Sequence, residues 1–204
     1  MRSRFGIPLA LFTALAARPA VAAEPATVDS PAPSFALRDA KGASHSLEEY
    51  KGKFVVLEWV NFDCPFVRKH YGSGAMQELQ RTMTSRGIVW LSICSSAPGK
   101  QGYFEGDELT ERISAEHASP TAYLVDPEGA VGKLYNAKTT PHMFVIDPKG
   151  TLIYAGGIDD KATTDRGDIA RATNYVKAAL QEAQEGKSVA IKTTRSYGCS
   201  VKYR

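Results

Sequence analysis

The sequence predicts an α/β protein, an open sheet sheathed by helices. Two apolar runs, residues 53–62 (KFVVLEWVNF) and 88–93 (IVWLSI), are nearly continuous, as expected of strands buried on both faces of a parallel sheet. Between and after them come segments with helical periodicity, so the order reads strand, helix, strand, helix, strand, hairpin, helix. In such sheets, sites gather beyond the carboxyl ends of the parallel strands.

Taken in order, residues 1–4 supply a basic start, 5–17 an apolar stretch and Val21-Ala22-Ala23 a small-residue cleavage site, the pattern of a secretory signal peptide over 1–23. Its 13 apolar residues fall short of the roughly 20 needed to cross a bilayer. Residues 24–33, EPATVDSPAP, carry no periodicity and read as a linker. The domain is expected over 34–186. It opens with a short edge strand at 34–37, a turn at 39–42 and one helical turn at 46–50 capped by Ser46.

After the 53–62 strand comes Cys64, then a helix bent around Gly72-Ser73-Gly74 and resumed to Gly87, with Met76, Leu79 and Met83 on one face. The 88–93 strand is followed by a loop at 95–106 and a helix at 107–116 capped by Asp107. A strand at 121–125 ends in the turn Asp126-Pro127-Glu128-Gly129, and strands at 143–146 and 151–155 form a hairpin through Asp147-Pro148-Lys149-Gly150. A last helix at 165–185 shows a stripe of Ile169, Ala172, Tyr175, Val176, Ala179 and Leu180, closed by Gly186. The tail, 187–204, carries Cys199.

Composition bounds the function. The 204 residues, 43% hydrophobic and 23% charged, suit one soluble domain. Removing residues 1–23 takes away Arg2, Arg4 and Arg18 and no acid, so the formal charge of +3 falls to 3 − 3 = 0. No dense basic run with interleaved aromatics remains, which removes the electrostatic motive for nucleic acid or an anionic membrane surface. The expectation is an exported protein, periplasmic in a Gram-negative source and otherwise secreted. It has no membrane association after signal cleavage and no cofactor.

Export makes the three cysteines, Cys64, Cys94 and Cys199, informative, because thiols in an oxidising compartment tend to pair and an odd count leaves one over. Cys64 stands where a strand hands over to a helix, among unpaired amides at the positive end of the helix dipole, and there a thiolate is favoured. Pro65 fits the first helical position, where its missing N–H costs nothing. The plainer alternative is a small buried residue.

At these residues the sequence resembles a known family. The stretch PAPSFALRDAKGASHSLEEYKGKFVVLEWVNFDCPFV and onward is similar to the thioredoxin-like redoxins, the group of alkyl hydroperoxide reductase and thiol-specific antioxidant domains and exported thiol-disulfide oxidoreductases. A peroxiredoxin-like branch marked by DCPFVRKHYGSG and a terminal YGCSVKY resembles it most. The resemblance implies a thioredoxin-like fold, a central mixed sheet flanked by helices, here with an N-terminal extension and a C-terminal tail.

It also implies a nucleophilic role for Cys64, matching the first cysteine of Cys-x-x-Cys, while Val67 stands where the second would be. A peroxiredoxin threonine three residues before the active cysteine is here Asn61. Thr140-Pro141 matches a cis-proline facing the active cysteine and docking an extended client, with Pro65 lining the same place; an ordinary trans proline is the alternative. Glu58 matches a buried acid that handles the thiol proton, and a carboxylate in an apolar strand is costly unless paired or protonated; a salt bridge or an exposed edge is the alternative.

With Val67 unable to resolve a mixed disulfide, Cys199 is the first candidate and Cys94 the second, and a static Cys94–Cys199 link is a third pairing that sequence alone leaves open. His142 could face Cys64, and a Cys/His pair in an exported redox fold is able to hold copper, yet no second ligand stands at metal spacing. His70 reads as a solvated helix residue, and His45 and His117 as surface residues. The expected activity is thiol-disulfide exchange through Cys64, with a thiol or disulfide client and an external thiol electron donor. The alternatives are peroxide reduction and a non-catalytic copper- or partner-binding module.

Overall fold

The structure, a computed structural model, describes residues 24–204; the expected signal peptide lies outside the described residues. In chain order the strands are β1 (Ala36–Asp39), β2 (Ser44–Ser46), β3 (Val55–Trp59), β4 (Val89–Cys94), β5 (Ala122–Val125), β6 (Thr139–Thr140), β7 (His142–Ile146), β8 (Leu152–Gly156) and β9 (Cys199–Ser200). The helices are α1 (Pro65–Tyr71), α2 (Ala75–Ser85), α3 (Gly106–Ala115), α4 (Ala130–Leu134) and α5 (Tyr175–Gln184).

Seven strands form one mixed sheet in the order β2-β1-β5-β4-β3-β7-β8, and β6 and β9 form a separate two-stranded ladder. β3, β4 and β5 run parallel, whereas β7 is antiparallel to β3, and β8 to β7. The parallel centre is buried on both faces, which explains the continuous apolar runs.

Because a strand alternates its side chains, β3 divides its residues between two cores. Val56 joins Val67, Met76, Met83, Val176 and Leu180 beneath α1, α2 and α5. Val55, Leu57 and Trp59 face the other way, onto Phe35, Leu47, Tyr135 and Phe144. Glu58 shares the α1 face with Val56, and so does Cys64.

Several expected elements differ. Residues 24–33 do not hang free as a linker. Ala26 donates to Leu134 O, Asp29 to Leu152 O and Ala32 to Gly150 O, and Ala26, Val28 and Ala32 pack on the second core. Their small apolar side chains, spaced two and four apart, supply the attachment. Ser46 precedes a 3-10 turn at Leu47–Tyr50 but makes no side-chain cap. Asp107 lies inside α3, where Glu105 occupies the cap position. The helix expected at 165–185 breaks into a 3-10 segment, Arg166–Arg171, and α5. Two local competitors cause the break: Asn174 caps α5 by accepting from Lys177 N at 2.9 Å, and Thr173 N donates to Asp160 Oδ1 at 2.9 Å.

Candidate active site

The end of β3 leads through Val60 to Asp63 into α1, and Cys64 stands at the cap position with Pro65 opening the helix. Cys64 is fully buried, and its Sγ lies 3.0 Å from Thr140 O, to which the thiol form donates. On its other side the Cys199 amide donates to Cys64 Sγ at 3.4 Å. All three cysteines are free thiols.

Burial pushes the Cys64 thiol up. Hydrogen bonds to the charged form from the Cys199 side chain, the Cys199 amide and the Thr140 hydroxyl, with the Val67 amide adding to them, outweigh burial and leave it below the ordinary cysteine range. Cys199 moves oppositely, to about 11, through burial and its bond to Cys64. Of the two sulfurs, Cys64 is thus the one shifted toward the thiolate and Cys199 the one shifted toward the thiol.

The Thr140–Pro141 peptide is cis, in the position expected of it, and the Thr140 carbonyl faces Cys64. β6 lies immediately before it. Antiparallel to β6 runs β9, with Thr139 opposite Ser200 and Thr140 opposite Cys199. The tail is thus a strand laid along the edge that leads into Pro141.

Glu58 is buried, and among the described residues it has no ionic partner. Tyr71 donates through its hydroxyl at 3.1 Å, Gln80 Nε2 at 3.1 Å, Trp90 Nε1 at 2.8 Å and Ser92 Oγ at 2.9 Å. Burial raises its pKa, and these four donors oppose the rise without cancelling it. Its carboxyl makes no hydrogen bond to Cys64, so proton handling between them would need an intermediary.

Other expectations change. Cys94 donates to Gly102 O at 3.3 Å and is pushed up by burial, and no hydrogen bond joins it to Cys64 or Cys199. His142 lies on the sheet face opposite Cys64, packed against Phe144 with ring centroids 4.5 Å apart and planes tilted by 41°, because it shares the β7 face of Phe144 and Ile146. Burial lowers it to about 4. Among the described residues no group of three potential ligands stands together for a metal. His70 is not solvated: it is 3% exposed, its Nε2 lies 3.2 Å from the Tyr197 hydroxyl, and burial lowers it to about 4.

The cluster around His70 escaped the sequence reading. Tyr197 donates to Asp159 Oδ1 at 2.5 Å, its ring meets Phe66 edge-on, and buried Lys69 donates to Lys161 O at 2.6 Å and lies 3.8 Å from Asp159 Oδ2. Farther along, Tyr203 donates to Ala137 O at 2.8 Å, and Ala97 N donates to Lys202 O at 2.9 Å. Tyr197 and Tyr203 thus fix the tail on either side of Cys199. The two tyrosines of YGCSVKY flanking a cysteine were the available signal.

Comparison with known proteins gives the family and the fold. Residues 28–155 match the AhpC/TSA family. The thiol-disulfide oxidoreductase ResA of Geobacillus kaustophilus (strain HTA426) is 28% identical over 126 residues, a stretch amounting to 61% of this chain and 66% of that protein, just under two thirds of its length. An uncharacterized conserved protein from Geobacillus kaustophilus superposes with a TM-score of 0.73 at 25% identity, covering 93% of this chain and 98% of that one. A thiol:disulfide interchange protein from Bacteroides sp. shares the fold, with a TM-score of 0.54 at 20% identity over 79% of this chain and 95% of that one. The matched family segment contains Glu58, Cys64 and Pro141 and ends before the tail, and by it the chain belongs to the AhpC/TSA family, as a thioredoxin-like redoxin.

Proposed function

We propose that the protein is an exported thiol-disulfide oxidoreductase in which Cys64 is the nucleophile and Cys199 resolves. One observation carries the reading: the only cysteine brought against Cys64 comes from the tail, held there by a backbone bond at 3.4 Å. Export is supported by the residues 1–23 pattern, and a thiol or disulfide client with an external thiol donor by the activity named for the ResA relative.

Cys64 thiolate attacks one sulfur of a client disulfide, forms a mixed disulfide and releases the other client sulfur as thiolate. Cys64 then carries no charge, so the bond to it that held Cys199 up disappears and Cys199 ionises more readily. The Cys199 thiolate attacks Cys64 Sγ, closes the internal disulfide and releases the second client thiolate. The client gains two electrons, which an external dithiol later restores to the protein. Glu58 would take part as a proton store, and Thr140, Pro141 and Pro65 would line the place where the client lies.

Mass spectrometry of non-reduced peptides from the oxidised protein tests this. The expected result is a Cys64–Cys199 link that dithiothreitol opens and that Cys64→Ser abolishes. A locked Cys94–Cys199 bridge would sink the resolving step. Rapid stoichiometric loss of peroxide by the reduced protein would favour peroxide reduction at the same cysteine instead.

A further inference from the structure

Cys64 is fully buried, yet the exchange proposed for it requires meeting a sulfur from outside. What covers it is a cysteine-bearing extended segment of the same chain. β9 pairs antiparallel with β6, Val201 N donates to Lys138 O at 3.1 Å, and the register sets Cys199 opposite Thr140, whose carbonyl bonds Cys64. We propose that the C-terminal tail is an internal client: it occupies the strand position along Thr139–Thr140 that an external cysteine-bearing peptide segment takes, and such a segment enters by displacing it. The proposal rests on the thiol-disulfide reading above.

Three features fit a strand that leaves and returns. The ladder is two residues long on each side, so opening it breaks few bonds. The firm anchors lie outside it, at Tyr197 and Tyr203, so residues 198–201 can lift while the tail stays attached. Two clefts of about 740 and 570 Å³ flank the tail and share Thr139, Thr194, Arg195 and Ser196. They give room for the flanks of a longer client chain.

Gly198 explains how the tail seats so closely. Its φ is 128°, a conformation that favours glycine, and a Cβ there would collide with Thr140 O and crowd the Thr140 carbonyl carbon at 2.7 Å. Substituting alanine should therefore unseat β9 without altering a cysteine. In the exchange itself, client and tail alternate. The client segment is bonded to Cys64 while the tail is lifted. When the tail returns, Cys199 forms its bond to Cys64 Sγ, the Cys64–client bond breaks, and the client leaves as a thiolate that is protonated by water.

The test uses the full chain with Cys199→Ser, which stops at the mixed disulfide, alone and combined with Gly198→Ala. One probe is an unstructured decapeptide whose single cysteine is disulfide-bonded to 2-nitro-5-thiobenzoate, and the other is cystamine. Gly198→Ala should speed peptide trapping at Cys64 at least tenfold and cystamine trapping much less. Hydrogen exchange on the Cys199→Ser protein needs no second substitution: once the peptide is trapped, the Val201 amide should lose its protection. Equal peptide rates with and without Gly198→Ala in folded protein, or a Val201 amide still protected in the trapped complex, would overturn the internal client while leaving the redox reading intact. Failure of Cys64 to react with either probe in any variant would remove the thiol-disulfide reading and this proposal with it.

Discussion

Cys64 and Cys199 are best understood as one acid-base pair, since each is the other's principal polar neighbour. Replacing Cys199 with alanine removes the side-chain donor and keeps the backbone one, so the Cys64 thiol should titrate higher than in the wild type. The pH midpoint of iodoacetamide alkylation at Cys64, followed by mass spectrometry, reads this directly. A midpoint unmoved by Cys199→Ala would show that the amides alone hold the thiolate. Glu58 presents the opposite case, a group whose folded pKa is raised by burial above its ordinary 4.5. The folded state then holds its proton more tightly than the unfolded chain, so stability is full below about 4.5 and falls as the pH rises through the raised value. The slope reaches at most about 1.4 kcal/mol per pH unit. Glu58→Gln keeps an acceptor for Trp90 and Ser92 and has no proton to lose, so urea denaturation at stepped pH should show a flatter profile. Identical slopes in both proteins would refute the assignment.

At the level of elements, the major strands were legible because burial on two faces writes itself as an apolar run, as in β3 and β4. Helices with one apolar stripe, α2 and α5, were legible too, although only the second half of the 165–185 segment is α-helix. What periodicity could not reveal were elements too short to have a period. The five-residue α4, directly after the turn at 126–129, has no readable period, and β6 and β9 hold two residues each. Their formation depends on contacts across the chain. α4 offers a direct check, because Tyr203 lies across its glycines. A Cβ at Gly132 would meet the Tyr203 hydroxyl and come within 2.7 Å of Ser95 Oγ. Alanine gains up to about 1 kcal/mol over glycine in a helix, but overpacking costs about 1–3 kcal/mol. Gly132→Ala should therefore lower stability by about 1 kcal/mol in urea and loosen the tail end, exposing the Ala97 amide to hydrogen exchange. A stabilised variant with Ala97 still protected would mean that Tyr203 does not anchor the tail.

For the whole molecule, the site joins the turn after β3 to the C-terminal tail, so Cys199 could be named as a partner for Cys64 while its register against Thr140 could not be read in advance. Cys64 announced itself by its place after a buried strand, and Glu58 by being acidic inside one. Their partners come from far away: Trp90 and Ser92 from β4, Gln80 from α2, and Cys199 across a separation of 135 residues. His70 looked solvated because the Tyr197 hydroxyl that meets it comes from the tail, which carries no periodic signal of its own. The long separation has a measurable consequence. Closing a disulfide between Cys64 and Cys199 removes loop entropy from the unfolded chain, a gain of about 4–5 kcal/mol for loops of this length in the entropic model. By the same cycle, folding favours the disulfide over the dithiol by whatever the disulfide adds to folding. Strain at the sulfurs subtracts from both. The oxidised protein should therefore unfold in urea at least about 2 kcal/mol later than the reduced one, with Cys199→Ser showing no difference between oxidising and reducing buffer. If oxidised and reduced protein unfold together, the bond is strained enough to cancel its entropic gain, and the tail would not be a relaxed resting place for the oxidised pair.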